Sequence, residues 1–102
     1  MIIIKTSSDN FNILEKICMQ VVKKKLVACA NIIPNCYSYF SWESKIQKNK
    51  EYLVFMKTIK INEKEIYDII KKNHNYEIPE IVTLKTENIE KKYMEWVKKE
   101  IK

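Results

Sequence analysis

The chain opens on a β-branched run, "MIIIKT", short and apolar enough to be a buried strand. Apolar residues then change to helical spacing at Phe11, Leu14, Cys18, Val21 and Val22. Ser8 or Asp9 stands where a cap is needed, and Lys23 to Lys25 suit the dipole at the helix exit. "LVACANII" returns to strand character, and beyond Pro34 and Asn35 "CYSYFSW" alternates again, so the two runs read as one long strand with a kink. A polar stretch from Glu43 to Lys50 gives way to "EYLVFMKT", where Tyr52, Val54 and Met56 alternate with Leu53, Phe55 and Lys57. These two long runs predict a hairpin.

Asn62 and Glu65 have capping-box spacing, and Ile66, Ile69 and Ile70 supply the buried stripe of a second helix ending near Asn73. His74 falls at its exit. Pro79 disfavours helical geometry at Ile78, so "PEIVTLKT" leaves as a strand. Ile89, Tyr93, Trp96, Val97 and Ile101 recur at helical spacing and predict an amphipathic C-terminal helix. The order β α β β α β α is an α+β, ferredoxin-like plan in one domain, residues 1–102, with an antiparallel sheet and an extra C-terminal helix. Such a sheet leaves one face uncovered. Both alternating sets of the hairpin nevertheless carry large apolar residues, Phe40 and Trp42 against Tyr37 and Tyr39, and Leu53 and Phe55 against Val54 and Met56. A sheet wetted on one side is polar on that side, so a second copy of the chain is the economical cover.

Composition narrows the function classes. No apolar run approaches the roughly 20 residues of a membrane span, and "MIIIK" is too short for the apolar stretch of about 7–15 residues in a signal peptide, so a cytoplasmic protein without a membrane partner is expected. The 19 basic residues against 13 acidic ones give +6, but all are lysine. Without the arginine fork that reads guanine or clamps phosphate, a specific nucleic-acid partner is not expected, and the charge reads as compositional drift. Cys18, Cys29 and Cys36 form neither a C-x-x-C pair nor an even framework, which fits reduced thiols. A chain with no glycine has no phosphate-cradling loop, and one histidine with no serine-histidine-aspartate pattern leaves hydrolase chemistry without a nucleophile system.

The blocks "KKLVACANIIPNCYSYFSWESKI", "EYLVFMKT", "HNYEIPEIVTL" and "YMEWV" resemble, in order and spacing, the CutA family of divalent-cation tolerance proteins over essentially residues 1 to 100. The linked motifs A-C-x-N-I-x-P, W-E, K-T and H-x-Y-E-x-P-E are specific in combination. The resemblance implies a ferredoxin-like fold assembled as a homotrimer through the long hairpin, association with copper or another divalent cation, and no enzymatic activity. It also implies a trimer architecture similar to PII signalling proteins. Departures accompany it: Asn35 and Ser44 replace usual glycines, and Lys5 and Asn73 stand where some members carry further soft-metal donors.

Two readings remain for each candidate residue. His74 is a metal ligand through a neutral imidazole, or a helix-exit residue bonding free carbonyls. Cys29 is a second metal donor, or a small buried hydrophobe. Cys36, beside the turn expected at Pro34 and Asn35, is expected to be more exposed. Trp42, Glu43, Lys57, Tyr76, Glu77 and Glu80 line an inter-subunit cleft, giving carboxylates, a cation and aromatic walls around a small anionic or metal-bound ligand, or they hold the trimer together. The alternative function is a PII-like trimeric sensor that binds a small metabolite in such clefts.

Overall fold

The computed structural model describes residues 1–102. Strand β1 (Ile2–Ser8) is followed by α1 (Phe11–Lys23), β2 (Cys29–Trp42), β3 (Lys45–Thr58), a short 3-10 turn (Lys60–Asn62), α2 (Glu63–Asn73), β4 (Ile81–Lys85) and α3 (Lys91–Glu100). The sheet runs β2-β3-β1-β4 with every pairing antiparallel, the order of a split βαβ unit. Period-2 alternation sends Ile2 and Ile4 of β1 and Val54 and Met56 of β3 to one face. There they join Leu14, Ile17, Cys18 and Val21 of α1 with Ile66, Ile69 and Ile70 of α2 in one core. Ile4, Leu14, Ile17, Val21, Val54, Met56, Ile66 and Ile70 have no exposed surface at all. Burial of each such side chain stabilises by about 1.5–3 kcal/mol.

Two local expectations are corrected. The cap of α1 is Asn10, whose Oδ1 accepts from the Ile13 N–H at 3.1 Å, not Ser8 or Asp9. Those two are already committed to Asn75: the Ser8 hydroxyl donates to Asn75 Oδ1 at 2.6 Å, and Asp9 Oδ1 accepts from Asn75 Nδ2 at 2.9 Å. At α2 the expected capping box does not form. Asn62 is the cap residue but its amide donates to the Leu26 carbonyl at 3.0 Å, tying the helix start to the α1–β2 connection instead.

The polar stretch Glu43 to Lys50 belongs to the hairpin itself. β2 and β3 pair without a break from Cys36↔Glu51 to Trp42↔Lys45, leaving Glu43 and Ser44 as a two-residue turn. Their φ values of 50° and 64° are both left-handed, as a type I′ hairpin turn requires. The stretch is polar because β1 pairs with β3 only as far as Tyr52, so the arm beyond has no third strand and no helix above it. This projecting arm gives the chain principal dimensions of 45 × 26 × 22 Å. The expected kink is present: the register shifts between Ile33 and Cys36, with Asn35 at φ 64°.

Glycine-free turns recur at the exit of α1. Leu26 N–H donates to the Val21 carbonyl and Lys25 N–H to that of Val22, a Schellman pattern whose left-handed residue is Lys25 at φ 58°. Leu26 and Val21 are both buried beside it. In α3 only part of the expected stripe is covered: Val97 and Ile101 are buried, whereas Tyr93 and Trp96 stack on each other at 5.7 Å and stay partly exposed.

The sheet face opposite the helices carries Ile3, Ile33, Leu53, Phe55, Val82 and Leu84, brought side by side by the strand register. Nothing in the chain covers this face, and Ile33, Val82 and Leu84 are exposed. On the opposite side of the arm Lys48 lies 5.3 Å from the Tyr37 ring and 5.8 Å from that of Tyr39.

Candidate functional site

The sequence from His74 to Glu80 links α2 to β4, and its side chains fasten it to the end of β1. Helix α2 stops at His74, where the backbone turns extended (φ −73°, ψ 148°) while the His74 N–H still donates to the Ile70 carbonyl. The ring then folds back: Nδ1 accepts from the Tyr76 N–H at 3.0 Å, which places the ring proton on Nε2, and Nε2–H donates to the Ser7 carbonyl at 2.7 Å. Both nitrogens are engaged. His74 therefore does more than cap a helix, because it joins the helix exit to β1 and sets the path toward Tyr76.

Tyr76 reaches the hairpin arm. Its hydroxyl donates to Glu51 Oε2 at 2.6 Å and accepts from the Asp9 N–H at 2.9 Å. Burial holds the phenol well above its usual range, and the Glu51 hydrogen bond and charge push it the same way, so Tyr76 is a stable donor. Glu80 closes the set, with Oε2 2.8 Å from Lys5 Nζ and Oε1 accepting from the Ser7 hydroxyl at 3.2 Å.

Between this connection and the arm lies a cleft of about 740 Å³. Trp42, Tyr76, Glu77 and Glu80, four of the residues expected there, line it within one chain, together with Phe40 and Glu51. Glu43 sits in the turn beyond Trp42 and does not line it. Lys57 of the same chain does not line it. It lies opposite Ile3 in the register, six residues along β3 from Glu51, roughly 20 Å at strand rise. Its ammonium donates to Asn31 and stands 4.0 Å from the Cys29 sulfur. Within one chain, the lining of the cleft therefore includes no cation. Glu51, buried at 6 % exposure, is the residue missed. Its signal was a charge opening the apolar alternation of "EYLVFMKT" on the Leu53 and Phe55 side.

The two expected metal donors are also apart. Cys29 pairs with Lys57 opposite Ile3, while His74 holds Ser7, four residues further along β1, roughly 13 Å away at strand rise. No three His, Cys, Asp or Glu side chains group closely enough to hold a metal ion. The residues of a single chain therefore do not fit a preformed metal centre. Cys18 is buried in the core, its thiol pushed from 9.0 up to about 11 by burial first and by Cys29 and Glu15 after it. Cys36 is half-buried, less open than its place beside the kink suggested.

Comparison with known proteins places this geometry in a lineage. The family model described as CutA1 divalent ion tolerance protein matches residues 1–100. The Divalent-cation tolerance protein CutA of Thermotoga maritima is 34% identical over 101 residues, covering 99% of each chain. The chloroplastic protein CutA of Arabidopsis thaliana is 34% identical over 84 residues, 82% of this chain, which spans only 46% of that longer protein. The solved structure of the periplasmic divalent cation tolerance protein CutA from Archaeoglobus fulgidus superposes with a TM-score of 0.93 at 30% identity, covering 100% of both chains. Sequence and fold agree over the full length, and the chain belongs to the CutA1 divalent ion tolerance family.

Proposed function

We propose that this protein serves divalent-cation tolerance as a homotrimer without a catalytic centre of its own. The observation that carries the reading is the full-length family match combined with an apolar sheet face that no part of the chain covers. Ile3, Ile33, Leu53, Phe55, Val82 and Leu84 would lose their water contact against neighbouring copies, and the outer arm would gain the support a two-stranded ladder lacks alone. Copper or another divalent cation binds weakly in this account, because a metal must displace Ser7 or Tyr76 from the His74 ring, or compete with Lys57 at Cys29. Three free cysteines favour a reducing compartment such as the cytoplasm. Family relatives carry both chloroplastic and periplasmic in their names, so location rests on the cysteines alone. The test of function is growth of a host lacking its own family member under graded copper, zinc and cadmium. Expression of this chain should restore tolerance, and a Phe55→Glu chain should not.

The cleft favours a second reading, a PII-like trimeric sensor of a small molecule. A volume of about 740 Å³ with aromatic walls and a buried carboxylate has the size and chemistry of a ligand site. A thermal-shift comparison of metals against organic ions separates the two, since a ligand of the folded state raises stability with its concentration.

A further inference from the structure

Folding gathers lysines that the sequence keeps in two separate runs. Helix α1 ends at Lys23, and the chain turns through Lys24 and Lys25 before the buried pair Leu26 and Val27. Helix α3 carries Lys98 and Lys99 in its last turn, Ile101 is buried, and the Lys102 N–H donates to the Lys25 carbonyl at 2.9 Å. Lys98 precedes Lys102 by four residues, about 6 Å at helical rise, so both runs share one end of the molecule. All six lysines are exposed. Lys24 stands 4.0 Å from Glu65, and the others form no ion pair, with Glu100 the one acidic side chain within either run. Two exposed apolar residues border the same end. The Lys25 N–H donates to the Val22 carbonyl, and Val22 is exposed. The Asn62 amide holds the Leu26 carbonyl, which sets the adjacent Ile61 beside this connection at 83 % exposure.

None of these residues belongs to the open sheet face. The lysines stand at the C-terminal ends of α1 and α3, where helix carbonyls carry partial negative charge and no free N–H groups point outward. A phosphate fixed by backbone donors has no cradle there. Bases of a single-stranded nucleic acid need aromatic platforms, whereas Tyr93 and Trp96 of α3 stack on each other at 5.7 Å. What this end offers is a group of long, mobile ammonium side chains around two apolar ones, which matches mobile anionic headgroups above an apolar layer. We propose that the α1–α3 end docks peripherally on an anionic lipid surface, with the lysines at headgroup level and Val22 and Ile61 toward the acyl boundary. The expectation of no membrane partner came from the missing span, and no helix here is long and apolar enough to cross a membrane. A surface contact needs none.

The test is flotation of the full chain with vesicles of phosphatidylcholine, alone or with about 30% phosphatidylglycerol. The chain should float with the anionic vesicles only, and about 0.5 M salt should release it. Two triple variants, each removing the same charge at exposed positions, locate the contact. One combines Lys25→Gln, Lys98→Gln and Lys102→Gln at this end, the other Lys16→Gln, Lys71→Gln and Lys72→Gln elsewhere. The first should weaken binding by about tenfold or more and the second by less than about twofold. Ile61→Ser should weaken binding at constant charge. Equal loss in both triple variants would overturn the proposal, because overall charge would then act without a defined surface. No flotation with anionic vesicles, while circular dichroism shows a folded chain, would overturn it as well. An oligothymidylate that displaces the vesicles and depends on Lys25, Lys98 and Lys102 would overturn lipid as the partner and make this end a nucleic-acid surface.

Discussion

Tyr76, in the connection after α2, donates its hydroxyl at 2.6 Å to Glu51, where the hairpin arm leaves the sheet. The two residues are 25 apart in sequence and join the two walls of the cleft. Tyr76→Phe removes the donor and leaves the buried Glu51 carboxylate without any partner. The expected cost is about 1–3 kcal/mol, measured by urea unfolding against the native chain. A change indistinguishable from zero would mean that water replaces the phenol and that the walls are not held by this bond.

His74 makes a parallel prediction about metals. Its two ring nitrogens are occupied by Ser7 and Tyr76, so His74→Ala should destabilise the fold by about 1–3 kcal/mol while lowering copper uptake only slightly. Equilibrium dialysis with metal analysis on the native chain, His74→Ala and Cys29→Ser checks it. Tight stoichiometric copper binding that vanishes in His74→Ala would refute the weak-binding account.

A chain without glycine places other residues in left-handed backbone. Lys25 at φ 58° and Ser44 at φ 64° carry the steric cost of a Cβ there. Lys25→Gly and Ser44→Gly should each raise stability, by about 1 kcal/mol, in thermal or chemical unfolding. A loss of stability in both would show that side-chain contacts at these turns outweigh the backbone cost.

The Cys18 thiol gives a pH dependence with a defined sign. Its pKa is raised from 9.0 to about 11 in the fold by burial, then by Cys29 and Glu15. The unfolded chain therefore ionises first. The contribution of the neutral thiol is fully present below about pH 9 and is lost as pH rises toward about 11. In urea unfolding between these limits the native chain should lose stability relative to Cys18→Ala. Parallel curves would place Cys18 in a wetter setting than the core described above.

Much of this architecture was legible because periodicity reports burial. Ile66, Ile69 and Ile70 marked the covered face of α2, and Pro79 marked the change to β4. The arm was legible only in part: Glu43 to Lys50 carries no apolar alternation, since its ladder of backbone hydrogen bonds stands clear of the core. Caps failed where side chains had distant partners. Asn75 takes Ser8 and Asp9, and Leu26 takes Asn62, choices set by tertiary contact. The same holds for the cleft. Tyr76, Glu77 and Glu80 lie in one motif and were found together, but Glu51 reaches them only through folding, and within one chain the strand register keeps Lys57 apart from them.

The account depends most on the open sheet face being covered by copies of the same chain. Light scattering behind a sizing column, at micromolar concentration and moderate salt, measures this directly. The native chain should elute with a mass about three times 12.3 kDa, and Phe55→Glu, which puts a charge in the middle of that face, should shift the mass downward. A native mass of 12.3 kDa would contradict the account.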